Sequence, residues 1–253
     1  MSFRQHIQHT IPEALFNDTR ACPRAQSVYL FLIGRRPESI SNIAAGIGSS
    51  LDSARAAVAH LKSKGWVMDL RQPSARQRQI VTTWPVRVES EIAKSIRNDR
   101  WNVPYLGEWL MTCWLDYLVV SADYLDHSRP EWLRQTSTGH KMEFDREYKG
   151  LRTAFEFQGQ QHFQTTLMYP DSLALVEQQR RDNTKAGICA RHGVRLVEVT
   201  AEDLNLRVML QKVAWLPLRQ YRQRGPIVSE LTQIYDSYMG HLAKTQRQSE
   251  SCD

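Results

Sequence analysis

Residues 142–163 read MEFDREYKGLRTAFEFQGQQHF, and this stretch decides what kind of sheet the chain builds. Apolar and polar residues alternate from Ala154 to Gln158, which puts Ala154, Glu156 and Gln158 on one face of a strand and Phe155 and Phe157 on the other. A second strand near 141–146 precedes it, and EYKG at 147–150 supplies the turn between them. Such a hairpin carries Asp145 to the side of Glu156. Polar groups on a buried strand are costly unless something pairs with them. Two carboxylates at close range also repel, and one takes up a proton unless a cation sits between them. Hard oxygen ligands with water in the other positions suit Mg²⁺.

Outward from the hairpin, PYLGEWLMTCWLDYLVV at 104–120 reads as an apolar helix opened by Pro104, and 121–140 reads as loop. SLALVEQQRRDNTKAGICARHG at 172–193 reads as a helix closed by Gly193, with Cys189 on its apolar side. VRLVEVT at 194–200 reads as a strand with Leu196 and Val197 in a core. Helical patterns follow near 202–214 and 226–243, and the last ten residues are polar. Helix, strand, strand, helix, strand is a mixed α/β order.

Toward the N-terminus, residues 23–36 carry Val28, Leu30, Phe31 and Leu32 at helical spacing, with Pro23 in the first turn and Gly34 at the exit. A short helix follows over 37–48, with Ile40, Ile43 and Ala44 on one face and a turn at Gly46 and Gly48. The clearest helix spans 49–66. Ser49 or Ser50 caps it, Leu51, Ala54, Val58 and Leu61 form its inner stripe, and Gly65 ends it. WVMDL and QIVTTW then read as two strands joined by RQPSARQRQ at 71–79. Residues 87–101 read as a polar helix or spacer.

The net charge of +6 is uneven. Residues 1–90 hold 12 Lys/Arg against 6 Asp/Glu, whereas 91–253 hold 21 of each. A compact basic segment suits a polyanion such as nucleic acid, although small domains also carry this much charge by chance. No run reaches the length of a membrane span, and MSFRQHIQHTIPE lacks the apolar core of a secretion signal. The four cysteines are scattered, without a CxxC pair, so a reducing, cytoplasmic and nucleoid-associated setting is expected.

Two resemblances follow from these motifs. Three helices and a hairpin with a basic tip, over roughly residues 20–86, resemble a winged helix-turn-helix. There the third helix enters the major groove and the wing meets the backbone. That resemblance makes Arg55, His60, Lys62 and Lys64 on the helix and Arg71, Arg76 and Arg78 on the wing the candidate DNA contacts. Winged helices also dock proteins, and an exposed basic face is also a solvated face.

Asp145, followed by Glu156-x-Gln158, resembles the metal-binding motif of the restriction-endonuclease-like PD-(D/E)xK nucleases. The run Gly159-x-Gln161-His162-Phe163, then Asp182-x-x-Lys185 and the Gly193-Val194-x-Leu196 strand, is similar to the very-short-patch-repair branch and to several mobile-element nucleases. The resemblance covers about residues 104–200. It implies that Asp145 and Glu156, with Glu108 on the opening helix, hold Mg²⁺ or Mn²⁺. His162 would orient a water or touch the phosphate, and Lys185 would offer it a positive charge. Gln158 stands where the family usually has Lys; it is neutral and can only orient. Each residue also has a plainer reading: Glu108 at a helix start, Asp145 at a turn, Gln158 as a satisfied amide, and Lys185 paired with Asp182 one helical turn away.

The expected architecture is therefore a winged helix over 1–90, a linker over 91–103, and a restriction-endonuclease-like α/β domain with C-terminal helices over 104–253. The expected activity is metal-dependent DNA cleavage, by a homodimer or with a partner protein. The alternative is a nuclease fold that kept DNA binding and lost the chemistry, or a protein-docking module.

Overall fold

The computed structural model describes residues 3–33, 35, 37–70, 79–121, 123–136, 138–159 and 185–250. It is a mixed helix-and-sheet protein with a two-stranded and a four-stranded sheet among these residues. The chain forms two compact units. The first is 1–103 with 115–120 and 213–233; the second is 104–114 with 121–212 and 234–253.

The first unit opens with α1 (Phe3–Thr19), α2 (Pro23–Leu32), α3 (Ile40–Gly46) and α4 (Leu51–Lys64). Helix α1 was not legible beforehand; it mixes polar and apolar residues and holds Pro12 inside. The ends of α4 follow from its sequence. The Ser50 side chain accepts from the Ser53 backbone N–H, and Gly65 exits in the left-handed region at φ 79°. Its buried face is Ala54, Ala57, Val58 and Leu61. Leu51, expected inside, is exposed, because it stands in the first turn outside that stripe. In α2 the buried face is Ala25, Val28, Tyr29 and Leu32, so the expected core residue Leu30 lies outside instead. Tyr29 meets the buried Trp66 edge-on at 5.3 Å. Strands β1 (Val67–Leu70) and β2 (Gln79–Thr82) pair antiparallel, and Glu38 bridges to Ile80 on the far side of β2.

The stretch read as a polar helix or spacer is the helix α5 (Val86–Asp99), amphipathic rather than polar and packed on α1. Val88, Ile92 and Ile96, spaced at four, are fully buried. The 91–103 linker is thus mostly helix in the first unit. Residues 213–233 also return to this unit. The Arg222 guanidinium donates to the buried Glu89 carboxylate at 2.9 Å, and Arg97 donates to Glu230 at 3.0 Å.

The second unit holds the sheet β3 (Leu125–Ser128), β4 (Phe144–Tyr148), β5 (Thr153–Gln158) and β6 (Arg195–Thr200), in that order. β3–β4 and β4–β5 are antiparallel and β5–β6 is parallel. The hairpin forms as expected, but its first strand and turn lie later than read: Glu147 and Tyr148, read as turn, belong to β4, and Lys149–Leu151 make the turn; the extra strand β3 lies in the stretch read as loop. Residues 185–191 form helix α7, which ends before Gly193 at φ 65°. Phe144, Ala154, Ile188 and Cys189 share a core with Leu133, as expected for Cys189. Helix α6 (Leu106–Leu118) begins in this unit, as does α8 (Leu206–Lys212). The long α9 (Pro226–Glu250) ends in it.

Candidate active site

The β4–β5 register pairs Arg146 with Phe155 and Glu147 with Ala154. The pairing ends at Arg146 and Phe155, with Asp145 and Glu156 the next residues of the two strands, and alternation places Gln158 on the face of Glu156. Asp145 Oδ2 accepts the Phe157 backbone N–H at 2.6 Å, so the carboxylate is fixed to the strand beside it.

Asp145 carries the largest perturbation of the candidate residues. Burial first, and then the nearby Glu108 carboxylate, push its pKa up to about 6, against the opposing pull of the Phe157 N–H, Lys185 and His127. Glu108 lies in the first turn of α6, half-buried, and its pKa is raised too. Burial is the main cause there, with the charges of Glu143 and Asp126 adding to it and His127 opposing. A site that makes two neighbouring acids reluctant to ionise favours any cation that enters it.

Lys185, on α7, is 5% exposed. Its Nζ lies 2.5 Å from Glu156 Oε2, donates to the Glu143 carbonyl at 2.5 Å, and stands 5.3 Å from the Phe144 ring centre. The helix thus delivers its cation to the acid of β5. Gln158 is 4% exposed, and its Oε1 is buried without a partner among the described residues. A buried amide oxygen left unmatched is costly. His162 and Asp182 lie outside the described residues.

One group at the site was not foreseen. His127, on β3, sits with Nδ1 3.1 Å from Glu143 and Nε2 3.7 Å from Glu108. Its backbone is in the left-handed region at φ 51°, which is uncommon for a residue with a side chain. Arg129 also pairs with Glu143. Burial raises the Glu143 pKa, but the Arg129 hydrogen bond and charge, with those of His127, bring it below the usual carboxylate range.

Among the described residues no three His, Cys, Asp or Glu groups converge as a ready-made metal cage. Mg²⁺ does not need one. It commonly takes one or two carboxylates, keeps several waters and shares the substrate's phosphate. Asp145 and Glu156, on neighbouring strands of the hairpin, are the carboxylates available for that pattern.

On the first unit, Arg55 is exposed and pairs with Asp52 at 2.9 Å, one turn away, and Lys64 is exposed near the end of α4. The other two helix candidates are used internally. A His60 ring nitrogen meets the Asp18 carbonyl at 2.7 Å, and Lys62 reaches Asp69 of β1 at 2.6 Å. Arg71, Arg76 and Arg78 lie outside the described residues.

No protein-family model matches the chain, and no solved structure matches it. A stretch of 78 residues, 30% of the chain, is 33% identical to "Uncharacterized protein 094L" of Frog virus 3 (isolate Goorha). The chain spans half the length of that viral relative.

Proposed function

We propose that the protein is a metal-dependent endonuclease that hydrolyses DNA phosphodiester bonds, with a restriction-endonuclease-like second unit and a winged-helix first unit that holds DNA. The observation that carries this reading is Asp145 and Glu156 on the two paired strands of a hairpin, with the Asp145 pKa pushed up to about 6 and Lys185 buried against Glu156. Mg²⁺ or Mn²⁺ held by Asp145 and Glu156, with Glu108 beside them, would make hydroxide available at neutral pH and offset charge on the phosphate. The chain's own groups do the rest. Lys185 positions Glu156 and keeps a fixed positive charge at the site. Gln158, with its unmatched carbonyl oxygen, can accept a hydrogen bond from the attacking water and so orient it. The order α2, α3, α4, β1, β2, with Glu38 bridging β2, supports the winged-helix reading, and Arg55 and Lys64 are its exposed helix cations.

A second reading is a nuclease fold that binds DNA without cutting it, as a recruitment or regulatory subunit of a mobile-element or defence system. The neutral Gln158 favours it, since a Lys there would add charge. Incubating labelled DNA with the protein and Mg²⁺ or Mn²⁺, with EDTA as control, separates the two. Metal-dependent product supports the enzyme; retained, salt-sensitive binding without product supports the second reading.

A further inference from the structure

At the turn end of the same sheet lies a second cleft, of about 400 Å³, whose lining includes Trp132, Glu147, Lys149, Arg152 and His192. Trp132 and His192 are stacked nearly parallel, with ring centres 4.4 Å apart and planes 19° apart. Trp132 also packs against Phe144, with ring centres 6.0 Å apart, and is half-buried, whereas His192 is exposed.

Lys149 and Arg152 frame the β4–β5 turn, and neither is ion-paired among the described residues. Arg152 is held in the left-handed region at φ 46°. A Cβ at Gly193 would come within 3.0 Å of its Nη1, so the glycine that ends α7 also leaves room for the guanidinium. Of the two carboxylates in the lining, Glu131 is paired with Arg134 and Lys141, and Glu147 accepts the Ser128 hydroxyl and forms no ion pair with either cation among the described residues. An aromatic stack with an exposed ring beside two such cations is the combination that holds a base and its phosphate.

We infer that this cleft holds an unpaired nucleotide of a nucleic-acid strand, the base extending the Trp132–His192 stack and the phosphate lying between Lys149 and Arg152. The inference rests on the nuclease reading for the presence of a strand, and it adds where that strand runs. From Arg152 to Glu156 is four residues of β5, roughly 13 Å at strand spacing. The nucleotide is gripped at that distance from the bond at Asp145 and Glu156.

Binding in EDTA tests the cleft apart from cleavage. The full chain is titrated with a short labelled single strand across a salt series by fluorescence anisotropy. Wild type is compared with His192→Ala and with the Lys149→Gln, Arg152→Gln double variant, all at exposed positions. Losing the two charges that hold one phosphate should lower the slope of log affinity against log salt by about 0.7. Losing the exposed ring should weaken binding about tenfold with the slope unchanged. Variants that bind like wild type overturn the inference, as does a wild type that binds no strand. Blunt duplex bound as tightly as single strand overturns the unpaired base. Full competition by equimolar free mononucleotide or inorganic phosphate overturns the strand as occupant. Absence of cleavage with the expected binding shifts removes the nuclease reading alone.

Discussion

Replacing Asp145 by Asn should stabilise the metal-free protein at neutral pH. Burial and the Glu108 charge raise the folded-state pKa from 3.8 to about 6. Each unit is worth about 1.4 kcal/mol, so ionising Asp145 in the fold costs about 3 kcal/mol at most. Partial exposure of the residue brings the expectation nearer 2 kcal/mol. The sign follows from linkage. Where the folded pKa lies above the unfolded one, the contribution to stability is complete below about pH 4 and is lost as pH rises through 6. Asn keeps the acceptor for the Phe157 N–H and removes the titration. Urea unfolding of both proteins should therefore give equal stability near pH 4. The variant should gain between pH 4 and 6 and stay about 2 kcal/mol ahead at pH 7.5. Saturating Mg²⁺ should close that gap by stabilising wild type, by about 2.7 kcal/mol at a hundred times Kd. An Asn variant less stable at pH 7.5, or a difference flat in pH, would refute the view of Asp145 as a carboxylate short of a cation.

Lys185→Met deletes the ammonium from the buried Glu156 and should cost about 3 kcal/mol in chemical denaturation. Arg222→Ala should cost about as much, because it leaves Glu89 charged at 1% exposure. Glu89→Gln should cost clearly less, because Arg222 can reach solvent; the two are compared by urea midpoints. A chain cut after residue 90 loses residues 213–233 and most of α5, and should unfold at markedly lower urea than the same residues in the whole protein, read by tryptophan fluorescence. Arg55→Glu with Lys64→Glu should flatten the salt dependence of duplex binding by about two units of slope.

Much of the local structure was legible. Ser50 and Gly65 bracket α4 because capping and left-handed exit have side-chain requirements that show in sequence. The hairpin was legible because a period of two on either side of EYKG leaves little choice. Other features depend on tertiary context. Leu30 and Leu51 look like core by hydrophobicity, yet the buried face of each helix is set by its neighbours. In α5 the polar residues masked the Val88, Ile92 and Ile96 stripe. At the site, the placement of Asp145 and Glu156 on the two strands of one hairpin was legible in the sequence. His127 was not, since Leu125–Ser128 is a short strand without alternation, and its neighbours Glu108 and Glu143 come from distant parts of the chain. His60 and Lys62 looked like free cations because their partners, the Asp18 carbonyl and Asp69, meet them only in the fold.

Supercoiled plasmid tests Asp145 and Glu156 as a catalytic pair. Purified protein is incubated with plasmid and Mg²⁺ or Mn²⁺, beside an EDTA control and the Asp145→Ala, Glu156→Ala double variant. Nicked or linear product that needs the metal and disappears in a folded double variant is the predicted result. Intact plasmid with wild type, or equal cleavage by the double variant, would contradict the assignment.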